Sequence, residues 1–209
     1  FFTMSEAENE VYVRRLLLKG HGYPVYGPKP DNCLPQAYQD RGTSIGDLVI
    51  ITNDGTIDFL FSICLPSDHP INANRTPECF EMVELDTSKD LSLMEDWHGI
   101  DSSIASSSVQ KKSLAAHAAV AAPSEFAILH LQDGADRQNL RHLKKFRDQA
   151  QRHAKDWYVP YRHANATMGR EISYDSLYLV TGCDKSESWG IASYSDTSGD
   201  SEVSLNWTA

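Results

Sequence analysis

Basic residues are in short supply. Nineteen Lys and Arg stand against 29 Asp and Glu, a net charge of −10 over 209 residues. That balance disfavours general nucleic-acid binding, which needs clustered Lys and Arg against phosphate, and docking on anionic lipid. No apolar run approaches the ~20 residues that span a bilayer, so no membrane span is expected. Cysteine is scarce and dispersed: Cys33, Cys64, Cys79 and Cys183 form no C-x-x-C pair. This fits reduced thiols in a cytoplasmic protein better than a disulfide framework or a zinc site. Neither a metal ligand set nor a cofactor motif is expected elsewhere. G-x-S-x-G and H-E-x-x-H are absent. Gly182-Cys-Asp-Lys-Ser186 has the Lys-Ser pair of a phosphate loop without its glycine spacing. The acidic run Ser5-Glu-Ala-Glu-Asn-Glu10 is unlike the start of a signal peptide. The sequons at Asn74, Asn165 and Asn206 are therefore read as chance matches.

What is present reads as an α+β chain, mainly antiparallel β-hairpins with one long amphipathic helix packed on them. Residues 9–18 are an apolar run compatible with helix or strand. Tyr23–Pro30 holds Pro24, Pro28 and Pro30 and must be extended or turning. Leu34–Asp40 suits one helical turn. The hairpin signal is clearest at Ile45–Thr52 and Thr56–Leu65, joined by Asn53-Asp-Gly55. Ile57, Phe59, Phe61 and Ile63 alternate there, and the face they share is read as core. Phe80–Leu85 suggests a further short strand, and Asp86–Trp97 a loop or weak helix.

A serine- and alanine-rich stretch, 99–124, reads as a flexible segment. It divides the chain into an N-terminal β-rich lobe (9–98) and a C-terminal lobe (125–209). Phe126–Leu131 reads as a strand. The helix is predicted from Ala135 to about Tyr158, with Asp133 as N-cap and Pro160 beyond its end. Its apolar stripe is Leu140, Leu143, Phe146, Ala150, Ala154 and Trp157. On its other side Arg137, Arg141, Lys144, Lys145, Arg147, Arg152 and Lys155 outnumber Asp136, Asp148 and Asp156. His142 and His153 on this helix lie ~16 Å apart along its axis and cannot share a metal ion. Strands are expected at Leu177–Thr181, Ser188–Tyr194 and Val203–Trp207, with Gly182-Cys-Asp-Lys185 as a turn. No element follows the last strand, so the chain is read as ending at a sheet edge or within a longer domain.

Two chemistries follow. Cys183 beside Lys185 is the candidate nucleophile, since a nearby cation lowers a thiol pKa. His69 or His163 would supply its base, and Asp68 or Asp184 would orient that base. Against this, free cysteine commonly behaves as a small hydrophobe, and Asp68 in a Pro-rich turn bonds local backbone. The competing class is a non-enzymatic binding domain. Its contact residues would be Arg141, Lys144 and Lys145 on the helix, for an acidic or phosphorylated partner. Trp189, with Tyr194 and Trp207, would face a sugar or peptide ligand. The expected partner is another protein or a small ligand.

Three stretches carry a resemblance: Ile45–Asn72, Leu131-Gln-Asp-Gly-Ala-Asp-Arg-Gln-Asn-Leu-Arg141, and Ser176–Gly190 with its core Val180-Thr-Gly-Cys-Asp-Lys-Ser-Glu-Ser-Trp189. As a set they resemble an uncharacterised family of proteins from mushroom-forming (basidiomycete) fungi. The resemblance implies a fungal, intracellular protein whose relatives continue past this C-terminus. It implies no activity, cofactor or catalytic residue. Mushroom lectins and pore formers are also rich in strands, so a carbohydrate-binding or pore-forming role is an analogy of fold class. The expectation is an interaction domain, with a cysteine-dependent hydrolase or transferase as the alternative.

Overall fold

The computed structural model describes residues 8–107, 125–162, 177–195 and 206–208. Its helices are α1 (Glu8–Leu17), α2 (Gln36–Arg41), α3 (Thr87–Asp90) and α4 (Lys144–Arg162). Its strands are β1 (Asp47–Ile51), β2 (Ile57–Ser62), β3 (Leu91–His98), β4 (Ser102–Ala105), β5 (Glu125–Leu131), β6 (Ala135–Leu140), β7 (Leu177–Leu179), β8 (Gly182–Lys185), β9 (Trp189–Ser195) and β10 (Asn206–Thr208). Helices are mixed with antiparallel strand pairs, which is the α+β class expected from the sequence. No helix among the described residues is long and apolar enough to cross a membrane. The chain divides into two compact units. Unit 1 takes Phe1–Gly27, Met94–Asp136 and Asp184–Ala209; unit 2 takes Pro28–Leu93 and Arg137–Cys183.

Unit 2 grows from the predicted hairpin. Gly55 adopts φ +79°, a left-handed conformation open to glycine at little cost. Thr52 N donates to Thr56 O at 3.0 Å to close the turn. β7 pairs with the other edge of β1, giving the order β2-β1-β7. The register shifts between Leu48, opposite Phe61, and Val49, opposite Phe59. In consequence the phenylalanines do not share one core, as strict alternation would have them do. Phe59 packs with Tyr38, Val49 and Ile71. Phe61 packs with Leu48, Phe146 and Trp157. Phe61 meets Trp157 edge-on at 6.2 Å, a favoured aromatic geometry. A buried amide completes the unit. Asn72 Oδ1 accepts from Ser62 N at 2.7 Å, and Nδ2 donates to Ser62 O and Leu65 O at 2.9 Å and to Pro66 O at 3.1 Å. It ties the loop after β2 to the strand end.

In unit 1 the sheet order is β10-β9-β5-β4. Residues 9–18, ambiguous in sequence, are helical over α1, because Val11, Tyr12 and Leu16 fall on one side and are buried. Glu8 and Glu10 open the helix and Arg14 and Arg15 close it, in agreement with its macrodipole. Tyr12 and Leu16 pack with Ala127, against which Ile104, Leu129 and Ile191 are also placed.

β3, β6 and β8 pair in the order β3-β6-β8. Several expectations are corrected here. Ala135–Leu140 is a strand, not the first turns of a helix, and α4 begins only at Lys144. The stripe Leu140, Leu143, Phe146 keeps a three-residue step across the break, so periodicity hides it. Asp133 caps no helix: its carboxylate accepts from Ser188 Oγ, and Gly134 makes the turn at φ +77°. Gly182-Cys-Asp-Lys185 is strand β8, not a turn. A Cβ at Gly182 would lie 2.2 Å from Asn139 Oδ1, so a side chain there would have to displace the Asn139 amide. Lastly, Phe80–Leu85 is no strand, whereas Leu91–His98 is one. Ser102–Ala105 also forms strand β4 inside the stretch read as flexible, whose residues 108–124 lie outside the described residues, as do 203–205.

Candidate functional site

The candidate contact residues Arg141, Lys144 and Lys145, together with Arg147, gather at the start of α4, whereas Arg152 and Lys155 lie further along it and Arg137 lies in β6. Phe146, 1% exposed, anchors this turn in the core of unit 2. Arg141 lies just before the helix. Its backbone N donates to Asp90 O at 2.7 Å and its Nε to Leu91 O at 2.6 Å. Lys145 Nζ meets Asp90 Oδ2 at 2.9 Å, and that lysine, followed by the Asp86 backbone, holds the Asp90 carboxyl below the usual range. Lys144 pairs with Asp148 at 2.9 Å, with 87% and 48% of the side chains exposed. Arg147 is exposed. An open depression of about 500 Å³ is lined by Arg141, His142, Leu143, Lys144, Arg147, Asp148 and Gln151. No acidic residue stands in the first turn of α4, so cations crowd the end of the helix dipole that disfavours them.

The thiol candidates are placed differently. Cys183 is half-buried in β8, and strand alternation turns it and Asp184 to opposite faces. Asp184 instead bonds His98. His69 belongs to the loop that Asn72 holds. Its Nδ1 accepts from Ile71 N at 3.2 Å and its N donates to Pro66 O at 3.1 Å, which leaves only Nε2 for other work. Asp68 is exposed in the same loop, and His163 lies outside the described residues. Burial, with the Asp47 charge adding to it, pushes the Cys64 thiol up to about 12. Trp189 is half-buried at the start of β9, opposite Thr208. Tyr194 stacks on Phe126 at 5.6 Å, so it contributes to the sheet surface of unit 1.

One constellation escaped sequence reading. His21, His98 and Asp184, all in unit 1, bring one ligand atom each to within 4.8 Å of one another. His98 ends β3, and its Nε2 lies 3.0 Å from Asp184 Oδ2, the side chains being 10% and 22% exposed. His21 is exposed in the turn after α1, between Gly20 at φ +74° and Gly22 at φ +100°. Its ring stands edge-on to that of His98 at 5.2 Å. Gly134 explains how distant strands meet here. A Cβ on it would lie 2.5 Å from His98 O, and its own O accepts from Ser186 Oγ at 2.6 Å. The glycine turn is thus clamped between the end of β3 and the residue after β8. The only trace in sequence is that each of the two histidines adjoins a glycine, Gly20-His21-Gly22 and His98-Gly99, which is too common a pairing to single them out. Sequence reading weighed His142 only as a metal ligand and left out Gln151; both line the depression at the start of α4.

No known protein family, no curated protein and no solved structure matches the chain.

Proposed function

We propose that the chain is a non-catalytic binding module that engages an acidic segment of a partner protein through the basic depression at the start of α4. The carrying observation is the placement of Arg141, Lys144, Lys145 and Arg147 at a helix N-terminus in a chain of net charge −10. Cations there oppose the macrodipole by about 0.3–1 kcal/mol each, and an approaching carboxylate-rich segment relieves both the dipole and the crowded charge. In this reading α4 is the long amphipathic helix expected from the sequence. It buries Phe146 and Trp157 while presenting the basic turn outward. The thiol-nucleophile alternative draws less support, because Asp184 is turned away from Cys183 and His69 Nδ1 serves its own loop.

The test is fluorescence anisotropy of a labelled deca-glutamate peptide with the full chain. Binding is expected to weaken as salt rises, because exposed charges are screened. Arg147→Glu is expected to weaken it about tenfold, which is about 1.4 kcal/mol, while leaving the melting temperature unchanged or slightly raised, since a carboxylate suits that helix end. Absence of binding by the wild type, or equal binding by Arg147→Glu, contradicts the proposal.

A further inference from the structure

We infer that His21, His98 and Asp184 form a binding site for a divalent transition-metal ion of the zinc type. The inference is independent of the α4 surface. It rests on side chains of unit 1 alone, and its failure would leave the acidic-partner reading standing.

The donor set comes first. Two imidazole nitrogens and one carboxylate oxygen suit Zn²⁺, Co²⁺, Ni²⁺ or Fe²⁺, whereas Mg²⁺ and Ca²⁺ ask for oxygen ligands throughout. Spacing comes second. Bonds of about 2.0–2.1 Å to one ion put neighbouring ligand atoms about 3 Å apart. His98 Nε2 and Asp184 Oδ2 stand at 3.0 Å already. A metal ion would replace that hydrogen bond with two bonds to itself and needs little movement of either strand. The His98 and Asp184 side chains are 10% and 22% exposed, and their mutual bond holds the two donor atoms together before the ion arrives.

The third ligand is placed to close in. His21 is exposed, and the glycines on both sides of it have φ of +74° and +100° with nothing within 4 Å of an added Cβ. A modest inward movement of the exposed His21 side chain, whose ligand atom already lies within 4.8 Å of the other two, would bring the third nitrogen to the ion. Three protein ligands leave at least one position for water or for a group from a ligand, as in zinc sites that are not closed by four side chains. His98 and Asp184 hang on β3 and β8, which the Gly134 turn holds in place. Two ligand atoms already 3.0 Å apart and a third close by then give a site that is largely formed beforehand and completed on binding.

Proton linkage fixes the pH response. Both imidazoles must be neutral to ligate, so protons compete with the ion for them. Affinity is expected to fall as pH is lowered. Other titratable or thiol groups must be separated from the site. Cys33 and Cys79 are exposed free thiols, and either can capture zinc by itself.

The experiment is isothermal titration of the full chain with Zn²⁺ in the Cys33→Ser, Cys79→Ser background, with Co²⁺ visible absorption as a second readout. One ion per chain is expected, unaffected by excess Mg²⁺ or Ca²⁺. His21→Gln and Asp184→Asn are each expected to weaken binding at least about tenfold, with the corresponding loss of the Co²⁺ band. His21→Gln lies in an exposed turn and keeps the fold, so it decides the matter if a substitution at His98 or Asp184 unfolds unit 1. Absence of a one-to-one Zn²⁺ event in that background, or unchanged affinity in His21→Gln, overturns the site. In the latter case His98 and Asp184 are an ion pair only.

Discussion

In unit 2 the buried amide of Asn72 finds a partner for each of its polar atoms. In unit 1 the buried hydroxyl of Tyr12 finds none among the described residues. Burial, with the charge of Tyr26 adding to it, pushes the Tyr12 phenol well above its ordinary value. A buried polar group costs free energy when it stands alone and specifies structure when it is satisfied. The surfaces of the units differ in the same spirit. Unit 2 presents like charges at a helix end, which act at long range and are screened by salt. Unit 1 presents three ligating atoms at short range, which act only through geometry and protonation state. Under the two proposals, recognition in unit 2 would be graded by charge, while recognition in unit 1 would be all or none for a particular donor set.

The largest effect should come from breaking the satisfied group. Asn72→Ala strips partners from Ser62 N, Ser62 O and Leu65 O and is expected to cost about 3 kcal/mol of stability, measured by urea denaturation. A loss under about 1 kcal/mol would mean that the loop after β2 is held by something else. A smaller effect of opposite sign is expected in unit 1. Tyr12→Phe removes a hydroxyl without a partner, keeps the ring packed against Tyr26 at 5.5 Å, and should raise stability by about 1 kcal/mol. A destabilised Tyr12→Phe would show that the hydroxyl is bonded after all, and the comparison between the units would fail.

How far the fold was legible follows from where each signal lies along the chain. Asn53-Asp-Gly55 and the β-branched residues around it specify β1 and β2 because turn and pairing are local. The buried face of α4 was legible in Phe146, Ala150 and Trp157. Its true start was not, because Leu140 and Leu143 continue the helical step through a strand end. β6 and β8 were illegible for one reason. Asp136-Arg-Gln-Asn139 and Gly182-Cys-Asp-Lys185 carry polar turn-like residues whose strand conformation depends on each other and on β3. The basic surface was half legible, since Arg141, Lys144 and Lys145 are neighbours in sequence, while Asp90, which anchors Arg141 and Lys145, is distant from them. The histidine cluster was not legible at all. His98 and Asp184 stand 86 residues apart and meet only because Gly134 lets three strand ends approach.

The claim that the chain carries two chemically different binding surfaces is tested most directly by residue-resolved amide NMR of the full chain with each probe in turn. Deca-glutamate is predicted to shift the signals of 141–151 and to leave those of His21, His98 and Asp184 in place. Zn²⁺ is predicted to do the reverse. Shifts by both probes at the same residues, or no shift of 141–151 by the peptide at low salt, would contradict the account.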